Sequence, residues 1–75
     1  MSTSLYNWFI SPIKHMLVGD DKKTGEYIQV KITSVEADQD TIIFNDLYIC
    51  DWNEMDTYFV QNHYKEIKTF VKEFK

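Results

Sequence analysis

The sequence predicts a small α+β domain with an N-terminal helical segment, a two- to three-stranded antiparallel sheet and a C-terminal amphipathic helix. Three observations lead to this prediction. Apolar residues near the N-terminus recur close to a 3.6-residue period, those at 28–32 alternate with polar ones, and a helical period returns after residue 51. The chain has 75 residues, which is enough for one small domain spanning 1–75.

The first element is predicted as a helix that begins at Pro12. Proline lacks an amide hydrogen, so it suits the first turn of a helix and not its interior. Ser11 is then the N-cap and Gly19 stands just past the end. Residues 4–10 form a separate turn or short helix, and the polar segment 20–25 is an exposed loop. The helical period is carried by Leu5, Trp8, Phe9, Ile13, Met16 and Leu17.

A strand is predicted next, because residues 28–32 alternate between apolar and polar side chains. The apolar members are Ile28, Val30 and Ile32. The alternation slips before Val35, which indicates a bulge or a strand end near Ser34. Residues 37–40 form the following turn.

Residues 41–50 fit either one strand or a hairpin that turns at Asn45 and Asp46. The hairpin is favoured because it sorts the apolar side chains by face, and asparagine tolerates a positive φ. The predicted pairs are Phe44 with Leu47 and Ile42 with Ile49 on one face, and Ile43 with Tyr48 on the other. Either the N-terminal segment with Trp8 and Phe9 covers that second face, or another subunit does. In the second case Tyr27, Ile43 and Tyr48 form a homodimer interface.

The C-terminal helix is predicted to start at a capping box made by Asp51 and Glu54. Lysines crowd its end, where cations favour the negative pole of the helix dipole. They are Lys65, Lys68, Lys72 and Lys75. The apolar stripe consists of Met55, Phe59, Tyr64, Ile67, Phe70, Val71 and Phe74.

Charge is distributed unevenly along the chain. Eight lysines and no arginine stand against 12 acidic residues, a net charge of −4. Residues 36–56 hold seven of the acids and no lysine. Solvated turns and a helix cap account for several of these acids. The sharper interpretation is an acidic surface that imitates a phosphate backbone or docks on a basic protein. Its predicted residues are Glu36, Asp38, Asp40, Asp46, Glu54 and Asp56.

Several functional classes lack the residues they need. Direct nucleic-acid binding requires clustered cations, and arginine makes its commonest specific base contact, so it is not expected here. Cys50, His15 and His63 are the only candidates for a nucleophile and its base, and they form no motif. No catalytic residue and no enzyme activity are therefore predicted. Residues 36–40 begin like a calcium loop but lack its later glycine and glutamate, so no metal or cofactor is predicted.

Composition also bounds the compartment and the class of function. A single cysteine, with no leader and no apolar run long enough to span a membrane, predicts a cytoplasmic protein. In size, acidity and scarcity of cysteine the chain resembles phage and mobile-element inhibitors of host enzymes. That resemblance of composition implies a non-enzymatic DNA mimic that blocks a basic nucleic-acid-binding protein. The alternative is a small structural or assembly subunit that acts through homo-oligomerisation.

Overall fold

The computed structural model describes residues 2–74, which form a six-stranded mixed sheet and one long C-terminal helix. The predicted N-terminal helix and the predicted sheet of two to three strands are therefore wrong. The C-terminal helix is confirmed, and the strand predicted at 28–32 corresponds to β3. In chain order the elements are β1 (Thr3–Ser11), β2 (Met16–Asp21), β3 (Tyr27–Lys31), β4 (Val35–Ala37), β5 (Thr41–Phe44), β6 (Tyr48–Asp51), a 3-10 helix (Trp52–Glu54) and α1 (Thr57–Glu73).

The N-terminal segment is a strand whose alternation is hidden by a bulge. Asn7 has a left-handed φ of 53°, and the register of β1 against β2 shifts beside it. The bulge places Leu5 and Trp8, three residues apart, in the same buried core. This spacing resembles a helical period in the sequence. Pro12 does not begin a helix either, because residues 12–15 form the tight turn between β1 and β2.

Two antiparallel meanders of three strands each make up the sheet. They meet where β1 pairs in parallel with β6, giving the strand order β3-β2-β1-β6-β5-β4. The parallel ladder joins Thr3 to Tyr48 and Leu5 to Cys50. The first and last strands of the chain therefore form the centre of the sheet, while β3 and β4 are its edges.

The sheet is strongly curled, because its two edge strands are consecutive in the chain. Only residues 32–34 join β3 to β4. Four residue steps reach about 14 Å at most, whereas the edges of a flat six-stranded sheet would lie about 24 Å apart. The Asn45 side chain holds the curled edges in place. The side-chain amide of Asn45 forms hydrogen bonds with Lys31 at the end of β3 and with Thr33 and Ser34 in the connection.

The hairpin predicted at Asn45 and Asp46 is confirmed, but its predicted register is wrong by one residue. Both residues have positive φ, 58° and 56°, and the Leu47 amide donates to the Phe44 carbonyl at 3.0 Å. Phe44 pairs with Tyr48 instead of Leu47, so the connection has three residues. Because side chains alternate between faces, this slip moves Tyr48 to the inner face and Ile49 to the outer face.

Helix α1 begins later than predicted. Asp51 caps the short 3-10 helix, and the carboxylate of Asp56 accepts from two amides in the first turn of α1, at 2.9 and 3.3 Å. The predicted capping box of Asp51 with Glu54 is therefore wrong. Lys72 lies in the last turn of α1, where a cation favours the helix dipole. Lys75 lies outside the described residues.

The core lies between the inner face of the sheet and α1. Trp8 is fully buried, and its indole nitrogen donates to the Asp51 carbonyl at 2.8 Å. Gly19 provides the space beside it, because a Cβ at this position would lie 2.9 Å from the Trp8 Cβ. The buried apolar residues are Leu5, Trp8, Ile10, Leu17, Val18, Ile32, Ile42, Phe44, Cys50, Met55 and Ile67.

Candidate docking groove

A shallow groove of about 450 Å³ lies on the outer face of strands β4, β5 and β6. Ile43 and Ile49 face each other across β5 and β6, half-buried, and form its apolar floor. Glu36 pairs with Ile43 from the edge strand β4. We call this site the acidic groove, and its lining residues are Glu36, Ala37, Asp38, Thr41, Ile43 and Ile49.

Two carboxylates border the apolar floor of the acidic groove. Glu36 and Asp38 are exposed, and neither forms an ion pair within residues 2–74. The Asp38 carboxylate accepts from the Gln39 amide at 2.7 Å, which orients it at the start of the β4–β5 turn. Asp40 is exposed in the same turn. This arrangement attracts a cation next to a surface that favours an aliphatic group.

The remaining predicted acidic residues lie elsewhere. Asp46 is in the β5–β6 turn, at the opposite end of β5 from the β4–β5 turn. Glu54 forms an ion pair with Lys22, and Asp56 is committed to capping α1. Three of the predicted acids, Glu36, Asp38 and Asp40, therefore lie together in β4 and the β4–β5 turn. The other three lie apart from them.

The three residues predicted as an oligomer interface do not share a face. Tyr27 is 62% exposed on the edge strand β3, and Ile43 lies in the acidic groove, with β2, β1 and β6 between them in the sheet. Tyr48 pairs with Phe44 on the inner face and packs against the core. The prediction that these three side chains lie together on the outer face is wrong, because the hairpin register turns Tyr48 to the inner face and the strand order places Tyr27 on a strand that does not pair with β5.

A second cavity, also of about 450 Å³, separates the β4–β5 turn from α1. Asp38 lies on one side of it, and Lys68 and Lys72 lie on the other. The Lys68 ammonium is 5.9 Å from the centre of the Trp52 ring and 5.4 Å from that of Tyr64, within the range of a cation–π contact. The negative surface around Asp38 therefore ends at these lysines on the side of α1. On the outer face of the sheet it has no such boundary within residues 2–74.

The residues considered for catalysis lie in separate elements. Cys50 is fully buried in β6, and this burial raises the pKa of its thiol, so the thiolate is disfavoured. His63 contacts Glu66 within α1, at 2.9 Å from ring nitrogen to carboxylate, whereas His15 lies in the β1–β2 turn. Residues 2–74 contain no group of three His, Cys, Asp or Glu side chains placed to hold a metal ion. No helix in this range is long and apolar enough to cross a membrane.

Of the six residues that line the acidic groove, the sequence predicts Glu36 and Asp38 as surface acids and Ile43 as an interface residue, and it does not predict Ala37, Thr41 and Ile49. A two-residue turn predicts Ile49 on the inner face. Three-residue hairpin connections are the next most common kind, and one of that length places Ile49 opposite Ile43. The signal was therefore present in the sequence as the weak turn pair Asn45 and Asp46, which lacks the glycine that two-residue turns favour.

Scans of family models, curated proteins and solved structures each found no match to this chain. What the acidic groove can bind therefore follows from its own side chains. Its apolar floor suits an aliphatic group, and its carboxylate rim suits a neighbouring lysine or arginine.

Proposed function

We propose that this protein is a non-enzymatic docking protein whose acidic groove binds a basic protein. The groove takes an aliphatic side chain on its isoleucine floor while its carboxylates receive a flanking lysine or arginine. The observation that carries this proposal is the placement of Glu36 and Asp38 beside the half-buried pair Ile43 and Ile49. We propose a cytoplasmic location, which suits a lone buried thiol.

Neither part of the groove is sufficient alone. An exposed ion pair contributes only about 0–1 kcal/mol, and the ions of the solvent screen it beyond about 8 Å at physiological salt. The apolar floor adds buried area, worth roughly 25 cal/mol for each Å² removed from water. The carboxylates then set the choice of partner and the rate of association. Both selectivity and association rate fall as salt rises, because the charges are screened.

A full imitation of DNA receives less support than this local contact. A phosphate-like row needs carboxylates in sequence along one surface, but Asp46 lies at the far end of β5 and Glu54 is paired with Lys22. The partner is therefore proposed by its local chemistry: an exposed aliphatic residue next to cations, as found on the basic surface of a nucleic-acid-binding protein.

Surface plasmon resonance with three immobilised peptides tests the proposal. One peptide carries a Lys-Ile-Lys core, and matched controls carry Lys-Ser-Lys and Glu-Ile-Glu. We expect only the first to bind, with a dissociation constant of the order of 0.1–1 mM. Its affinity should fall between about 0.05 M and about 0.5 M salt as the carboxylates are screened.

Variants of the protein separate the groove from general acidity. The double variant Glu36→Gln with Asp38→Asn should weaken binding by roughly three- to tenfold. Asp46→Asn removes an exposed acid at the other end of β5 and should leave binding unchanged. Equal losses in the two variants would attribute binding to net charge, and equal affinity for the three peptides would exclude the groove as a docking site.

A further inference from the structure

The tip of the β1–β2 turn holds an isoleucine out in solvent. Ile13 is 95% exposed, the highest value among the large exposed apolar residues. The turn beneath it is held firmly. The Lys14 amide donates to the Ser11 hydroxyl at 3.3 Å, the Ile32 amide donates to the His15 carbonyl at 2.7 Å, and the His15 ring packs edge-on against α1. Ile13 is therefore presented by a fixed turn and not by a loose terminus.

The surroundings of Ile13 match the chemistry that the acidic groove requires. Lys14 follows it directly and is exposed. A cavity at the base of the same turn is lined by Pro12 together with Lys65 and Glu66 of α1, whose charges are opposite, so Lys14 is the cation that accompanies Ile13. An aliphatic side chain followed by an ammonium group thus projects from the turn, while an apolar floor with a carboxylate rim lies on the outer face of the sheet.

The tip and the groove do not touch within one copy of the chain. The residues that line the acidic groove belong to β4, β5, β6 and the β4–β5 turn, and the lining includes no residue of the β1–β2 turn. The pairing of β1 with β2 and the bond from the Ile32 amide to the His15 carbonyl fix that turn in its place. A contact between the tip and the groove therefore joins two molecules.

We propose that the β1–β2 tip of one copy docks in the acidic groove of a second copy, giving head-to-tail assembly. This inference rests on the proposed function of the groove and names one of its ligands. Ile13 covers Ile43 and Ile49, while Lys14 approaches Glu36 and Asp38. The two contacting surfaces are different, so the interface is heterologous, and each added copy leaves one free tip and one free groove. The products are rings or open chains and not a closed symmetric dimer.

Sedimentation velocity of the full chain over a concentration series up to about 1 mM tests the assembly. We expect species that grow with concentration at about 0.05 M salt and shrink at about 0.5 M. The tip variant Ile13→Ser with Lys14→Glu should weaken self-association at least about tenfold. This change touches two exposed residues, so folding is not expected to interfere. Tyr27→Ser, on the exposed edge strand, is the matched control and should assemble like the unaltered chain.

Mixing two variants tests the head-to-tail geometry. The tip variant keeps a working groove, and the groove variant Glu36→Lys with Ile43→Thr keeps a working tip. Each alone should be monomeric, and an equimolar mixture should give a heterodimer and nothing larger. Assembly of the tip variant at unaltered strength would overturn the inference, as would a monomeric unaltered chain at about 1 mM or a mixture that stays monomeric.

The two proposals fail in different ways. The tip variant should still bind the Lys-Ile-Lys peptide, because its acidic groove is intact. Peptide binding without self-association would overturn the head-to-tail inference alone and leave the groove as a docking site. Self-association that the groove variant does not weaken would overturn the inference and place the contact on another surface.

Discussion

Replacing Asn45 with alanine should destabilise the protein more than any other single change in its turns. The side-chain oxygen of Asn45 accepts from the amides of Thr33 at 2.7 Å and Ser34 at 3.3 Å, and its nitrogen donates to the Lys31 carbonyl at 2.8 Å. These bonds join the β5–β6 turn to the connection between the two edge strands. The asparagine also occupies a left-handed φ of 58°, which asparagine tolerates better than alanine does.

The expected loss follows from these contacts. A hydrogen bond of this kind contributes about 0.5–1.5 kcal/mol, and water replaces part of it because Asn45 is only half-buried. Holding alanine in the left-handed region adds about 1 kcal/mol. We therefore expect Asn45→Ala to lower the free energy of unfolding by about 2–4 kcal/mol, close to the whole stability of a domain this small. The midpoint temperature should fall by roughly 8–30 °C.

Urea unfolding followed by tryptophan fluorescence measures this loss, and two variants divide it. Asn45→Gly removes the amide while relieving the backbone, so it should be about 1 kcal/mol milder than Asn45→Ala. Asp46→Ala changes a neighbour with nearly the same φ of 56°, and no hydrogen bond to the Asp46 side chain is seen within residues 2–74. If Asn45→Ala and Asp46→Ala cost the same within about 0.5 kcal/mol, the amide does not hold the curled edges together.

Three further changes test other parts of the structure. Gly19→Ala should cost about 1–3 kcal/mol, because its Cβ would lie 2.9 Å from the Trp8 Cβ, and an unchanged urea midpoint would contradict this packing. The Cys50 thiol, buried and with a raised pKa, should react with an aromatic disulfide reagent only after unfolding, and comparable rates in native and unfolded protein would show that it is accessible. Asp56→Ala should lower the free energy of unfolding by about 1 kcal/mol in thermal unfolding, and Asp56→Asn should lower it much less, since asparagine also caps helices. Equal losses of stability in the two variants would show that the Asp56 side chain does not cap α1.

Local signals predicted the elements that depend on near neighbours. The apolar stripe of α1 and the alternation at 28–32 each repeat over several residues, and packing confirms both. Asn45 and Asp46 marked the hairpin because both can adopt a positive φ. Each of these signals lies within a few residues of the structure that it predicts.

Longer-range features could not be predicted in this way. The bulge at Asn7 gives the sequence of β1 a helical spacing, and the parallel pairing of Leu5 with Cys50 joins the first strand of the chain to the last. No local pattern in the sequence predicts such a long-range contact. The candidate site shows the same limit: the charge pattern predicts Glu36 on the surface, but the face on which Ile49 lies depends on a register that one extra turn residue reverses.

Nuclear magnetic resonance titration of the nitrogen-15-labelled tip variant with the Lys-Ile-Lys peptide tests the central claim most directly. This variant is chosen because the weakened self-association expected of it leaves the acidic groove free for the peptide. We predict that the amide signals of residues 36–38, 43 and 49 shift progressively, while those of the β5–β6 turn at Asp46 stay in place. Shifts centred on the β5–β6 turn, or spread evenly over all acidic residues, would contradict the assignment of the acidic groove as the docking site.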